Sequence, residues 1–348
     1  MRLLILSALF AGLWLGAGFQ LITASLVSFA VYLLTGGWSF VRIVFATLPR
    51  DLKALYVLLS IKRQLKKHQA ARDGIPTIFS KVCDANRNKV CFIDVIGDRQ
   101  WTFQEVDEYA NRVANYFASE GVKPGDSVGV FMESCAQFVC ISIGLSKIGV
   151  VPALLNFNLK GQALAHCSEA ANATCIIYSG GLAAVVEEAK KHISRKMIYY
   201  SINSPSNDDI PLENVLRNID SKRPPSIPYD FNGPYLYIYT SGTTGLPKAA
   251  KVVHSRYYYM ASTIAMFSDL TPSDIIYDTL PLYHTAGGVL GIGQALIHGS
   301  HSLLINTQLP GCILSLECWL LFQVGLWSFG RSSQPGISGL TVSSTTVP

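Results

Sequence analysis

Between Thr240 and Lys248 the chain reads Thr-Ser-Gly-Thr-Thr-Gly-Leu-Pro-Lys, and the types and order of these residues point to phosphate chemistry. Gly242 and Gly245 let the backbone fold tightly and come close to a ligand, and successive free amides there make a concave anion site. Thr240, Ser241, Thr243 and Thr244 add hydroxyl donors, Lys248 adds a point charge, and Pro247 stiffens the exit. Such a loop suits a polyphosphate that must be held and then partly released. It is not the phosphate loop of the common nucleotide hydrolases, which needs Gly-Lys-Ser/Thr opening a helix. Here Pro247 precedes the lysine and Ala249 follows it.

The elements around the loop must hold it still. The apolar run 235–239 (Tyr-Leu-Tyr-Ile-Tyr) is predicted to be a buried strand, so Thr240 starts the loop at a strand's carboxyl end, where α/β sheets bind ligands. From Asp73 onward, short β-type runs alternate with helical periods. Thr102 and Glu105 form a capping box, and Val106, Tyr109, Ala110, Val113 and Phe117 fall on one face of the helix it opens. A Lys-Pro-Gly-Asp turn, a strand over 127–132, a helix over 136–147 and a strand over 150–154 follow. Further strands are predicted at 174–178, 196–200 and 274–277, and the polar stretch 203–228 reads as a surface excursion. Strands alternating with helices predict an α/β fold with mainly parallel sheets flanked by helices.

The first part of the chain follows a different pattern. No charged residue occurs between Leu3 and Val41, enough for one tilted membrane span plus an interfacial stretch. Gly36 and Gly37 interrupt that run, and Trp38 sits where an interfacial aromatic would. A retained anchor is the favoured reading; a cleaved signal peptide and a helical hairpin remain alternatives. Arg42, Arg50, Lys53, Lys62, Arg63, Lys66 and Lys67 follow the apolar run, while Arg2 alone precedes it. The positive-inside bias therefore predicts a single pass with the N-terminus outside or luminal and the rest cytosolic, at the plasma membrane or endoplasmic reticulum. Residues 49–68 read as an amphipathic basic helix with Leu52, Leu55, Leu58, Leu59 and Leu65 on one side. It lies on an anionic lipid bilayer or serves as a solvated linker.

Composition agrees with this division: 49% of the 348 residues are hydrophobic and 15% charged, more apolar than a globular core needs. The net charge of +5 is mild and predicts no nucleic-acid partner. Eight cysteines without CxxC or His interleaving read as reduced core thiols, which predicts no bound metal from this set. Asn172-Ala173-Thr174 fits a glycosylation acceptor, which would contradict a cytosolic body if occupied.

The segment Thr240–Lys248 resembles the phosphate-loop signature of the adenylate-forming, AMP-binding enzymes. The flanking Tyr-Ile-Tyr and Ala-Ala-Lys-Val-Val-His-Ser-Arg-Tyr-Tyr are similar to one branch, the fatty acid transport proteins or very-long-chain acyl-CoA synthetases. So are Leu155-Asn156-Phe157-Asn158-Leu159, His166-Cys167 and the run from Ile276 to His284. The resemblance implies a long-chain fatty acid–CoA ligase that uses ATP, Mg2+ and coenzyme A and couples fatty acid activation to transport. It assigns the phosphates to Tyr237, Ile238, Tyr239, Thr240, Ser241, Gly242, Thr243, Thr244, Gly245, Leu246, Pro247 and Lys248, with Thr240, Lys248 and His284 in catalytic roles. The resemblance stops near Gly299, and the tail 300–348, with Glu317 and Arg331 its only acidic and basic residues (Asp, Glu, Lys and Arg counted), looks unrelated. The expected domains are an anchor (1–48), a basic juxtamembrane helix or linker (49–72), a partial AMP-binding domain (73–299) and the tail. An alternative function follows: a catalytically inactive truncated isoform, bound to the membrane as partner of a full-length family member or as a homo-oligomer.

Overall fold

β-branched and aromatic runs become strands here, and the apolar-periodic stretches between them become helices. A computed structural model describes residues 2–16, 20–94, 99–203, 209–240 and 246–304. In chain order, β1 (Val90–Asp94) and β2 (Arg99–Thr102) form an antiparallel pair. β3 (Ser127–Phe131), β4 (Val151–Leu154), β5 (Ala173–Ser179), β6 (Ile198–Ile202), β7 (Ile210–Pro211), β8 (Pro234–Thr240) and β9 (Lys248–Val253) make one sheet, ordered β7-β6-β5-β3-β4-β8-β9. β10 (Ile275–Asp278) and β11 (His301–Leu304) return to β1 and complete a second sheet, ordered β10-β11-β1-β2. Every pairing is parallel except β1–β2 and β8–β9. The α/β architecture with mainly parallel sheets is thus present.

The helix Ala136–Lys147 touches β1 of the smaller sheet and both β3 and β4 of the larger, and it is buried along nearly its whole length. That explains its all-round apolar sequence, which has no polar face to show water. Its last residue, Lys147, is a buried cation held by Asp107 at 2.5 Å, and Asp107 also accepts from Arg223 Nε at 2.8 Å. The helix Phe103–Ser119 starts as expected. Thr102 Oγ1 accepts from Glu105 N at 3.2 Å and Glu105 Oε2 accepts from Thr102 N at 2.7 Å.

Three elements differ from expectation. β9 was not foreseen; Lys-Ala-Ala-Lys-Val-Val has few strand formers, and its pairing with β8 supplies the order that propensity does not. The polar excursion 203–228 contains β7 and the helix Leu212–Leu216, whose Leu212 and Leu216 are buried. Third, the boundary drawn at 299 falls just before β11, which lies between β10 and β1 and pairs in parallel with both. Residues 305–348, which hold most of the expected tail, lie outside the described residues.

The N-terminal region is helical. Arg2–Ala11, extended by the wider-wound turn Gly12–Gly16, lies alongside Leu21–Tyr32. On one straight helix, residues ten apart would stand about 15 Å apart, so these two stretches are not a single rod. Leu21–Ala71 is one helix long and apolar enough to cross a membrane by length and composition. It is interrupted at Thr35–Gly36, where Gly36 takes φ +97°, a conformation glycine adopts without strain.

The basic helix is not a free linker. Within Trp38–Ala71, Val57 and Ile61 are buried and Leu65 packs against the core. Gln64 Oε1 accepts from the Tyr258 hydroxyl at 2.6 Å, and His68 lies 4.8 Å from the Tyr258 ring and 3.0 Å from Asp73. Leu52, Leu55, Leu58 and Leu59, expected to share one side with Leu65, are all exposed. Only Leu65 departs from the expected row, since it packs against the core; the other four leucines face away from the body, which meets the opposite side of the helix.

Candidate active site

The parts of the site gather at the edge of the sheet where the parallel strands β4 and β8 end. Thr240 ends β8 and Lys248 begins β9, and the two are register partners across the antiparallel pair. Their α-carbons therefore stand about 5 Å apart, and the loop leaves and re-enters the sheet at one point. Tyr237 and Ile238 pair with Ala153 and Leu154 of β4, so the chain leaving β4 emerges beside the loop. That chain is Leu155-Asn156-Phe157-Asn158-Leu159. It turns at once, with Asn156 Oδ1 accepting from Asn158 N at 2.9 Å. Thr240 and Lys248 are exposed, as is Leu246; Ile238 is buried, and Tyr237, Tyr239 and Pro247 are half-buried. Ser241, Gly242, Thr243, Thr244 and Gly245 lie outside the described residues.

Aromatic packing brings the third part in. The ring of Tyr283 meets that of Phe157 edge-on at 5.3 Å, and its hydroxyl bonds to the Asn158 side chain. Tyr239 and Tyr283 both pack against one apolar cluster that includes Phe131, Leu155, Phe157 and Tyr178. Thr240 and His284, each the next residue along, are thereby carried on a common pedestal, with the His284 imidazole exposed.

The turn before His284 depends on close backbone approach. Leu282 N donates to Ser134 Oγ at 3.3 Å, and Gly288 N donates to the His284 carbonyl at 2.8 Å. A Cβ on Gly288 would fall 2.2 Å from the Leu282 carbonyl oxygen, which explains the glycine. Beneath the turn Asp278 is almost wholly buried. Burial pushes its pKa well above the ordinary carboxylate range, against a weak pull from the Leu280 amide.

Two contacts escaped the sequence reading. His166 Nε2 lies 3.1 Å from the Pro247 carbonyl, and the Tyr239 hydroxyl donates to the Cys167 carbonyl at 2.6 Å. One helix, Gly161–Ala170, thus holds the strand entering the loop and the segment leaving it. The pair His166-Cys167 stood out only as part of a resemblance; its spacing from Pro247, 81 residues on, carries no local signal. Burial raises the Cys167 thiol to about 11 and the Cys135 and Cys175 thiols to about 12. All six cysteines among the described residues are free, in keeping with core thiols.

A hydroxyl- and glycine-rich segment leaving a strand end, an adjoining turn with two asparagines and an exposed histidine sit on a fold that matches the N-terminal domain of adenylate-forming enzymes. The chain belongs to the AMP-binding enzyme family, whose model matches residues 79–316. Over 293 residues it is 39% identical to long-chain fatty acid transport protein 1 of Rattus norvegicus, covering 82% of this chain and 45% of that protein. The chain therefore spans a little under half the length of this relative. Among solved structures, a long-chain-fatty-acid-CoA ligase from Archaeoglobus fulgidus shares the fold at TM-score 0.61 and 17% identity, over 68% of this chain and 47% of that one. An anthranilate CoA ligase solved with anthranoyl-AMP does so at TM-score 0.63 and 21% identity, over 72% and 47%.

Proposed function

We propose that this chain carries the ATP-binding half of a membrane-bound long-chain fatty acid–CoA ligase that couples activation to fatty acid uptake. The observation that carries the reading is the pairing of Thr240 with Lys248 beside the end of β4, which brings both ends of the hydroxyl- and glycine-rich segment, and its lysine, to one point of the sheet. In this reading the loop from Tyr237 to Lys248 holds the β- and γ-phosphates of ATP. A fatty acid carboxylate oxygen attacks the α-phosphorus, the bond to pyrophosphate breaks, and an acyl-adenylate forms. The thiolate of coenzyme A then attacks the acyl carbonyl and AMP leaves. Lys248 and the loop amides neutralise the departing pyrophosphate, a preorganised charge that accounts for much of the rate. Thr240 positions the phosphate chain and His284 lines the acyl-adenylate side. Bound Mg2+ would be held largely by the phosphates of the nucleotide themselves.

The apolar first part of the helix Leu21–Ala71, within the anchor 1–48, is read as the span, a single pass with the body on the cytosolic side, at the plasma membrane or endoplasmic reticulum. Exposed basic residues from Arg42 to Lys67 support that orientation. The domain limits 1–48, 49–72, 73–299 and 300–348 remain part of the proposal, with β11 as an extension of the third.

The test is ATP–pyrophosphate exchange with oleate by the full chain in liposomes, alongside binding of a fluorescent ATP analogue. Exchange that Lys248→Ala abolishes supports the ligase. Nucleotide binding without exchange favours a regulatory partner of a longer family member, and absence of binding sinks both readings.

A further inference from the structure

We propose that the outward side of the helix Trp38–Ala71 is a bilayer-contact strip, which seats the catalytic body on the membrane surface along its own docking helix. The proposal rests on the membrane-bound part of the preceding reading and names the surface that does the seating.

The helix has two working sides. Val57 and Leu59 are two residues apart and so point about 200° away from each other; Val57 is 2% exposed and Leu59 56%. Leu52, Leu55 and Leu59 follow the three-and-four spacing of a single helical face, and the first two are 56% and 51% exposed. Phe45 and Leu48 extend the same row toward the apolar N-terminal stretch, so the strip is continuous with the candidate span. On the body, Phe267 adds an exposed aromatic beside it, since its carbonyl accepts from Lys53 Nζ at 3.0 Å. An apolar row of this length on a free surface calls for an occupant.

Charge identifies that occupant. Lys62, Arg63, Lys66 and Lys67 stand three, four, seven and eight residues beyond Leu59, hence on the same side, and all four are exposed. Within one turn the strip changes from hydrocarbon to cations. That sequence of surfaces matches acyl chains followed by lipid phosphates, and a protein partner has no reason to present it. Charges inside the leucine zone are neutralised or turned to the body: Lys53 pairs with Asp269 at 2.6 Å, and Arg50 with Asp51 at 3.2 Å.

The experiment uses the full chain reconstituted in liposomes of phosphatidylcholine with or without phosphatidylglycerol. Membrane insertion is first established by flotation and resistance to alkaline carbonate. A benzophenone amino acid is then placed at Leu55 or Leu59, and at Lys191, an exposed residue that caps the helix Ala183–Lys190 and has no apolar row around it, as control. Irradiation is expected to give lipid acyl adducts at 55 and 59 and none at 191. Replacing Lys62, Arg63, Lys66 and Lys67 by Gln is expected to cut the adducts at 59 in anionic liposomes, each cation being worth about fivefold in partition near an anionic surface. A chain that floats but gives no lipid adduct at either position overturns the strip while leaving the anchor standing. Adducts to a second copy of the chain also overturn it. A chain that fails to float overturns the anchor and the strip together.

Discussion

The strand ends that carry the loop and the helix that carries the leucine row solve opposite problems. At the strand ends, residues from four distant parts of the chain converge: the loop's flanks, the turn after β4, His166 and the segment ending at His284. Nothing local holds them together; the apolar pedestal does. In the helix Trp38–Ala71 every contact row is written locally by the helical repeat, and the only non-local choice is which row meets the body. The difference is that sequence motifs state chemistry without placement, whereas amphipathic helices state placement without saying against what.

The contrast can be broken by measurement, beginning with the deepest contact. Asp107→Ala removes the carboxylate from buried Lys147, whose ammonium pKa burial pulls down and Asp107 only partly restores. Leaving that cation unpaired is expected to cost about 3–5 kcal/mol, read as a lower unfolding midpoint in detergent. On the helix, Ile61→Ala is expected to cost about 2–4 kcal/mol, whereas Leu59→Ala in detergent should stay within about 0.5 kcal/mol. Equal losses at the two positions would refute the two-sided helix.

A third prediction concerns pH. His254 Nδ1 accepts from Ile75 N at 3.1 Å between Tyr229 and Tyr235, and burial lowers its pKa to about 4. The unfolded chain binds this proton near pH 6.5, so the stability contributed by neutral His254 is complete above that value. It is lost as pH falls from about 6.5 toward 4, with a slope of at most about 1.4 kcal/mol per pH unit. His254→Gln keeps an acceptor without a titrating proton, and its stability should fall less steeply over that window than the parent's. A parallel decline would show that other groups carry the pH response.

Smaller effects test the loop's supports. His166→Leu deletes the donor to Pro247 and is expected to weaken ATP-analogue binding about fivefold, the worth of one net hydrogen bond; His166→Gln should recover much of it. Lys53→Ala loses an exposed pair with Asp269 and should cost less than about 1 kcal/mol.

Much of this was legible beforehand. The capping box at Thr102 and Glu105, the buried row Val106, Ala110, Val113 and Phe117, and the strand before the loop all lie where periodicity put them. β9 was not legible because Lys-Ala-Ala-Lys acquires strand order only by pairing with β8. β11 sits just past Gly299, where the motif resemblance stops, and its parallel partners are some 25 and 210 residues away. The side of Trp38–Ala71 that meets the body was not legible for a different reason: leucine is the stronger apolar signal, yet Val57, Ile61 and the polar Gln64 and His68 make the contact.

What the sequence determined by itself is the local chemistry: a nine-residue segment from Thr240 to Lys248 whose composition admits few uses, and helices whose periods follow from backbone geometry. Tertiary structure alone decided that Thr240 faces Lys248, that His166 reaches Pro247, and that Leu59 looks away from the body. The physical reason is that a residue's type and period are properties of the chain near it. Register, docking face and long-range hydrogen bonds are set by competition among all surfaces that can be buried at once.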